Sequence, residues 1–204
     1  SKHSVWLRRF VSPDGGKTLW DYDYELKRLY MSAYHVNSES APRYVQKIND
    51  SKFKTLVGYP SSIYILACFM EELSLKLEHI DTIHVASEKV LPEWKSKVES
   101  TLGIKMKAHY GQMEKVSFFH QAEDSDCYSE NLEYGVTEIQ DNGDVVGTGF
   151  LNMDMPFLRY KMNDKAECIE PPYDKIGLPK TVKDFDGRAD DILVSENGSK
   201  IPGV

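Results

Sequence analysis

The sequence predicts an α/β fold, a mostly parallel sheet with flanking helices followed by a smaller antiparallel β subdomain. Two observations predict it. From Ser40 to His109 short apolar runs alternate with helical stripes, as in successive βαβ units. After Tyr128 the helical period stops, and strand-like runs joined by Asn-Gly turns take over.

"FKTLVGYP" predicts a strand at Thr55 to Tyr59, and Pro60, Ser61 and Ser62 then supply a turn and a helix cap. Ile63, Leu66, Ala67, Met70, Leu73 and Leu77 recur at helical spacing, with Glu71, Glu72 and Lys76 off the stripe, and predict an amphipathic helix of about four turns. "IDTIHVAS" reads as the next strand. "LPEWKSKVESTLG" reads as the next helix, with Pro92 in its first turn, Trp94, Val98 and Leu102 on one face, and Gly103 to end it. "IKMKAHYG" returns as a third strand, so "YGQME" lies past the C-terminal edge of a parallel sheet, where open α/β folds place ligands. Further on, "EYGVTEIQDNGDVVGTGFLN" reads as a hairpin turning at Asn142-Gly143, and "DDILVSENGSKIPG" as one turning at Asn197-Gly198.

The chain has 204 residues and a formal net charge of −7, without a Lys/Arg run long enough to track phosphates, which argues against nucleic acid as a partner. Cys68, Cys127 and Cys168 are scattered and odd in number, the usage of a reducing compartment, so a cytoplasmic location is expected. No apolar stretch approaches a membrane span, and "SKHSVWLRRF" lacks the apolar core of a signal peptide. The chain starts without methionine and is read as a processed or excised piece.

Several candidate sites have plain readings. "SPDGGK" lacks the spacing of a phosphate-binding loop and is expected to be a hairpin turn. His120, Cys127 and Cys168 have no zinc-site spacing, and His35 and His109 read equally well as packed scaffold residues. There is no GxSxG or HExxH, so a hydrolase has no motif behind it. "MNDK" and "DGRADD" each read singly as solvated turns. Their order is more informative: "YGQME", "LRYKMND" and "GRADD" follow one another, each at the edge of an inferred strand.

These segments carry a family resemblance. "HYGQME" resembles the YGxTE motif of the adenylate-forming ligase superfamily, "MPFLRYKMND" its PLxRYxxGD segment, and "GRADDIL" its GRxDD hinge. "LVGYPSSIYILACF" and "VASEKVLPEWKSKVE" are similar to segments of phenylacetate-CoA-ligase-like and capsular-polysaccharide-biosynthesis proteins. The likeness runs from about Tyr30 to the C-terminus.

The resemblance implies that a small-molecule carboxylate attacks the α-phosphorus of ATP to give an acyl-adenylate, and that a nucleophile such as coenzyme A then takes the acyl group. Glu114 would be the Mg2+ ligand and, with Arg188, the catalytic pair. Tyr110 would lie against adenine, with Gly111 and Gln112 beside it and the Ser87-Glu88-Lys89 turn bordering the base through its main chain. Asp164 would accept the ribose hydroxyls, Arg188 would reach ribose or phosphate, and Asp190 would be the hinge. Gly58, Tyr59 and His109 are candidates for the acyl pocket, and a homodimer is left open. The implied organisation is a partial α/β nucleotide-binding subdomain over 1–132, an antiparallel subdomain over 133–187 and a hinge segment over 188–204.

Two positions depart from the motifs. Met113 stands where the family keeps a hydroxyl, and Asn163 replaces the glycine of RYxxGD, a substitution compatible with unusual backbone angles. The family's Ser/Thr/Gly-rich phosphate loop and the lysine of its C-terminal domain have no counterpart here, so the chain is expected to be an internal fragment that retains adenine and ribose contacts without turning over alone. The alternative expectation, suggested by Met113, is a non-catalytic nucleotide-binding or interaction module on the same fold.

Overall fold

A computed structural model describes residues 3–10, 12, 14, 17–122, 124–169, 179–188, 192–194 and 200–202. It is a mixed α/β protein with two compact units, Ser1–Met106 and Lys107–Val204. Among the described residues no helix is long and apolar enough to cross a membrane.

The first unit holds β1 (Ser4–Arg8), β2 (Trp20–Asp23), β3 (Arg28–Ser32), α1 (Ala41–Ser51), β4 (Thr55–Gly58), α2 (Pro60–Glu72), β5 (Thr82–Val85) and α3 (Pro92–Leu102). Its strands lie in the order β2-β3-β1-β4-β5. β1 pairs in parallel with β3 and β4, β4 with β5, and β2 runs antiparallel to β3. Period-2 alternation aims Val5, Leu7, Leu29, Met31, Leu56, Ile83 and Val85 into the core, which the helices close with Tyr44, Ile48, Ile63, Leu66, Met70 and Val98. Tyr44 is fully buried, its hydroxyl donates to the Ser32 carbonyl at 2.7 Å, and burial pushes its pKa up to about 12.

Pro60 and Pro92 begin α2 and α3 as expected, and Gly103 ends α3 in the left-handed region with φ 67, its N–H returning to the Glu99 carbonyl at 2.9 Å. The helices are clamped by Tyr64 stacking on Trp94, centroids 5.7 Å apart, and by the Lys97–Glu71 ion pair. α2 is shorter than its apolar stripe predicts. It stops at Glu72, Ser74 turns left-handed with φ 55, and the Leu75 N–H bonds the Met70 carbonyl at 2.8 Å, leaving Leu77 beyond the helix.

"SPDGGK" is not a hairpin turn, since β1 and β2 flank β3 rather than each other. Asp14 organises the segment instead. It accepts the Thr18 N–H, the Thr18 hydroxyl and the Ser12 hydroxyl, each at 2.7 Å, and these bonds, led by the Thr18 amide, lower its pKa to about 2.

The second unit is antiparallel. It contains β6 (Met106–Gly111), β7 (Phe118–Gln121), β8 (Tyr128–Glu130), β9 (Gly135–Ile139), β10 (Asp144–Gly149), β11 (Tyr160–Cys168), β12 (Thr181–Arg188), β13 (Ile192–Val194) and β14 (Lys200–Pro202). Its sheet runs β6-β7-β8-β12-β11-β10-β9, with β13 and β14 as a separate antiparallel pair. Within this unit antiparallel pairing is present from His109↔His120, well before the Asn142-Gly143 signal, because no Asn-Gly turn announces β6 to β8. Asn197-Gly198, expected to turn the last hairpin, lies outside the described residues.

At the β9–β10 turn Gly143 takes φ 83, and Asn142 Oδ1 accepts the Asp144 N–H at 3.0 Å. The buried Asp144 carboxylate meets Lys161 at 2.6 Å and Lys165 at 2.5 Å, hydrogen bonds that hold its pKa well below the usual carboxylate range. A depressed carboxylate stabilises the fold above its unfolded pKa of about 4 and loses that contribution as pH falls toward the lower folded value. Between pH 7 and pH 3 the urea midpoint of the parent is therefore expected to fall further than that of Asp144→Asn; equal falls would show that Asp144 carries no linked proton.

Candidate functional site

The site is built from the second unit outward. β6 delivers Tyr110 and Gly111, and the loop before β7 carries Gln112, Met113 and Glu114. The Tyr110 hydroxyl donates to Asp164 Oδ2 at 2.5 Å, joining the first and second motifs. Burial, then the bond to Asp164, pushes the Tyr110 pKa far up, so the phenol stays protonated and remains the donor. In β11–β12 pairing Asp164 sits opposite Arg188, so register brings the second and third motifs together. The side chain of Arg188, and Asp190 altogether, lie outside what the structure describes.

Phe185 of β12 backs this arrangement. Its ring stacks on Tyr110, centroids 3.7 Å apart and planes at 5°, with Phe119 and Tyr128 edge-on at 5.2 Å and 5.3 Å. β7 and β8 lie between β6 and β12 in the sheet, so this contact requires strong curling. A register shift after Lys165 places the pair Ala166↔Phe185 next to Lys165↔Gly187, leaving Asp186 as the extra residue of a bulge beside the site. The motifs do not include Phe185. Nothing but strand alternation in "TVKDFDGR" hints at it.

The stack uses one face of Tyr110, so a purine has only the rest of the ring. Asp164 has used Oδ2, and Oδ1 remains for a ribose hydroxyl. Gln112 is tied to Ser117, its Oε1 accepting the Ser117 N–H and its Nε2 meeting the Ser117 hydroxyl, both at 3.2 Å. Asn163 takes φ 58, so the residue that replaces glycine does occupy the left-handed region for which Asn is suited. Gly111 has a negative φ, and a Cβ there would meet Phe118 at an ordinary 3.4 Å.

Glu114 Oε1 accepts the Tyr160 hydroxyl at 3.2 Å, while Met113 next to it is 94% exposed. Among the described residues no group of three or more His, Cys, Asp or Glu is placed to hold a metal ion. A lone braced carboxylate does fit Mg2+, which takes one or two protein oxygens and fills its octahedron with phosphate and water.

The remaining expected residues belong to the first unit, apart from His109. Ser87 adopts φ 72, and Glu88 Oε2 accepts the Ser61 N–H at 3.1 Å, so the Ser87-Glu88-Lys89 turn caps α2 and meets the "GYPSS" segment. Gly58 is glycine for a packing reason, since a Cβ there would lie 2.6 Å from the Leu7 carbonyl oxygen. Tyr59 is the extended N-cap residue of α2. His109 sits in β6 with its ring 5.5 Å from Phe118.

No family model matches the chain. Protein CapK of Staphylococcus aureus is 26% identical over 194 residues, covering 92% of this chain and 43% of CapK. Among solved structures, 2-hydroxyisobutyryl-CoA ligase in its postadenylation state in complex with R3-HIB-AMP aligns with TM-score 0.67 at 18% identity, over 98% of this chain and 46% of that one. The anthranilate-CoA ligase AuaEII in complex with anthranoyl-AMP aligns with TM-score 0.56 at 12% identity, over 85% and 37%. Coronafacic acid ligase from Pectobacterium brasiliense aligns with TM-score 0.51 at 13% identity, over 98% and 42%. The chain thus spans less than half of each of these relatives. Motif order, fold and sequence likeness converge: the chain has the fold of the adenylate-forming ligases, in a version whose sequence resembles CapK.

Proposed function

We propose that the chain is part of an ATP-dependent ligase that activates a carboxylic acid as its acyl-adenylate and passes the acyl group to coenzyme A or another nucleophile. The observation behind this reading is the Tyr110–Asp164 hydrogen bond with Arg188 in register opposite Asp164, three motif residues assembled on a fold shared with CoA ligases that hold acyl-AMP adducts. Protonated Tyr110 orients the Asp164 carboxylate, whose free oxygen accepts a ribose hydroxyl. Phe185 keeps the Tyr110 ring from rotating away. Arg188 supplies positive charge toward ribose or phosphate, and Asp190 follows it as the hinge. Glu114 would hold Mg2+, which neutralises charge building on the phosphates.

A second reading, a nucleotide-binding or interaction module without catalysis, is favoured by one observation: Met113 presents an exposed thioether where a hydroxyl would face phosphate.

Calorimetry of the 204-residue chain tests the first reading. AMP is expected to bind, and Asp164→Ala to weaken it about ten-fold, the value of one charge-assisted hydrogen bond. Mg-ATP affinity is expected to drop by a similar factor on chelating Mg2+ or in Glu114→Ala. No AMP binding, or binding indifferent to Asp164, would favour the interaction module.

A further inference from the structure

Beside Glu114 the second unit opens into a groove of about 700 Å³, within the size range of small-molecule sites, whose lining includes Met113, Leu151, Met155 and Phe157 together with Glu114 and Lys115. These apolar side chains face water to an unusual degree: Met113 is 94% exposed, Met155 60% and Leu151 52%. Nor is the wall loose. Phe157 packs edge-on against Tyr160 at 4.9 Å, and Tyr160 donates to Glu114, so the apolar wall is braced to the residue expected at the phosphates.

The lining specifies a ligand chemistry. Two thioethers and a leucine present an apolar surface in which the unbranched methionines can deform to follow a flexible chain. Asn152 is the groove's remaining lining residue and its single amide, so the walls offer a hydroxylated ligand few hydrogen-bond partners. Lys115 is exposed and has no ion-pair partner among the described residues, which leaves a cation for an anionic head group, with Glu114 next to it in the lining.

We propose that this groove binds an aliphatic carboxylic acid, with the carboxylate on Lys115 and the chain lying along Met113, Leu151, Met155 and Phe157. The assignment deepens the ligase reading and rests on it for the fate of the acid. It makes Met113 a specificity residue in place of a defective phosphate contact, and it disfavours sugar acids as substrates.

The test is an NMR titration of the 204-residue chain carrying methyl-labelled methionine. With hexanoate, octanoate and decanoate, the Met113 and Met155 methyl signals are expected to move saturably, with affinity rising by about three- to four-fold per methylene. Lys115→Gln is expected to weaken decanoate by about three- to five-fold and leave decanol unaffected, as befits an exposed ion pair. Glucuronate is expected to give no saturable shift. The proposal fails if Met113 and Met155 do not respond, if glucuronate matches decanoate, or if the buried Met31 and Met70 move equally. AMP binding with silent Met113 and Met155 would overturn this inference alone. Decanoate binding without AMP binding would overturn the ligase reading and leave the groove an aliphatic-carboxylate site.

Discussion

Phe185→Ala is expected to lower the stability of the chain by about 3–4 kcal/mol, the cost of deleting a buried phenylalanine and leaving a cavity. The residue is 7% exposed and touches three aromatic rings, one stacked and two edge-on. On the usual scaling for a chain of this length the melting temperature falls on the order of 10 °C. The proposed nucleotide site is expected to suffer in parallel, because the Tyr110 ring loses the surface that holds its hydroxyl on Asp164. Phe185→Leu separates the two effects. It keeps most of the volume and costs about 1 kcal/mol, yet removes the flat face, so AMP affinity should drop more than stability does. Denaturation midpoints and AMP calorimetry on both variants provide the check, and a stability loss under about 1 kcal/mol in Phe185→Ala would show that the stack is not a core contact.

Glu130→Ala is expected to cost about 3 kcal/mol. Its side chain is 0% exposed and joins segments far apart in sequence: Oε1 accepts the Thr137 N–H at 2.6 Å, Oε2 accepts the Lys180 N–H at 3.2 Å, and the Lys180 ammonium lies 3.5 Å from Oε2. Alanine leaves buried amides without an acceptor, and such an orphan costs about 1–3 kcal/mol, more than an ordinary hydrogen bond contributes. Glu130→Gln keeps one acceptor oxygen but turns an NH2 toward the other amide, so an intermediate loss is expected. Hydrogen exchange at Thr137 gives the specific readout, since its amide should lose protection in Glu130→Ala before the rest of β9 does. Unchanged exchange there would remove Glu130 from the interior of the sheet.

Local physics made part of the fold legible in advance. Pro60 and Pro92 at first helical turns, Gly103 in the left-handed region and Asn142-Gly143 at a hairpin are conformational choices that each residue enforces within a few positions. The helical spacing of α2 continues through Leu73 and Leu77, whereas Ser74 ends the helix through its own backbone angle. β1 lacks a local signal for a different reason: it is defined by its parallel partners β3 and β4, and parallel pairing leaves no turn signal between neighbours.

The site shows the same division. The sequence by itself placed the motif residues Tyr110, Glu114, Asp164 and Arg188 in order and put Asn163, a residue compatible with unusual backbone angles, where the resembling family keeps glycine. The motif residues rest on the resemblance to the adenylate-forming ligases, and the tolerance of Asn163 for unusual angles rests on local backbone preference. Only the tertiary structure decided that Tyr110 bonds Asp164, that Phe185 spends one face of Tyr110, that Glu88 caps α2, and that exposed Met113 joins Leu151 and Met155 around a groove. Such contacts depend on how far a sheet curls and where a bulge shifts its register. Those are sums over many strand pairings, and no single stretch of sequence encodes them.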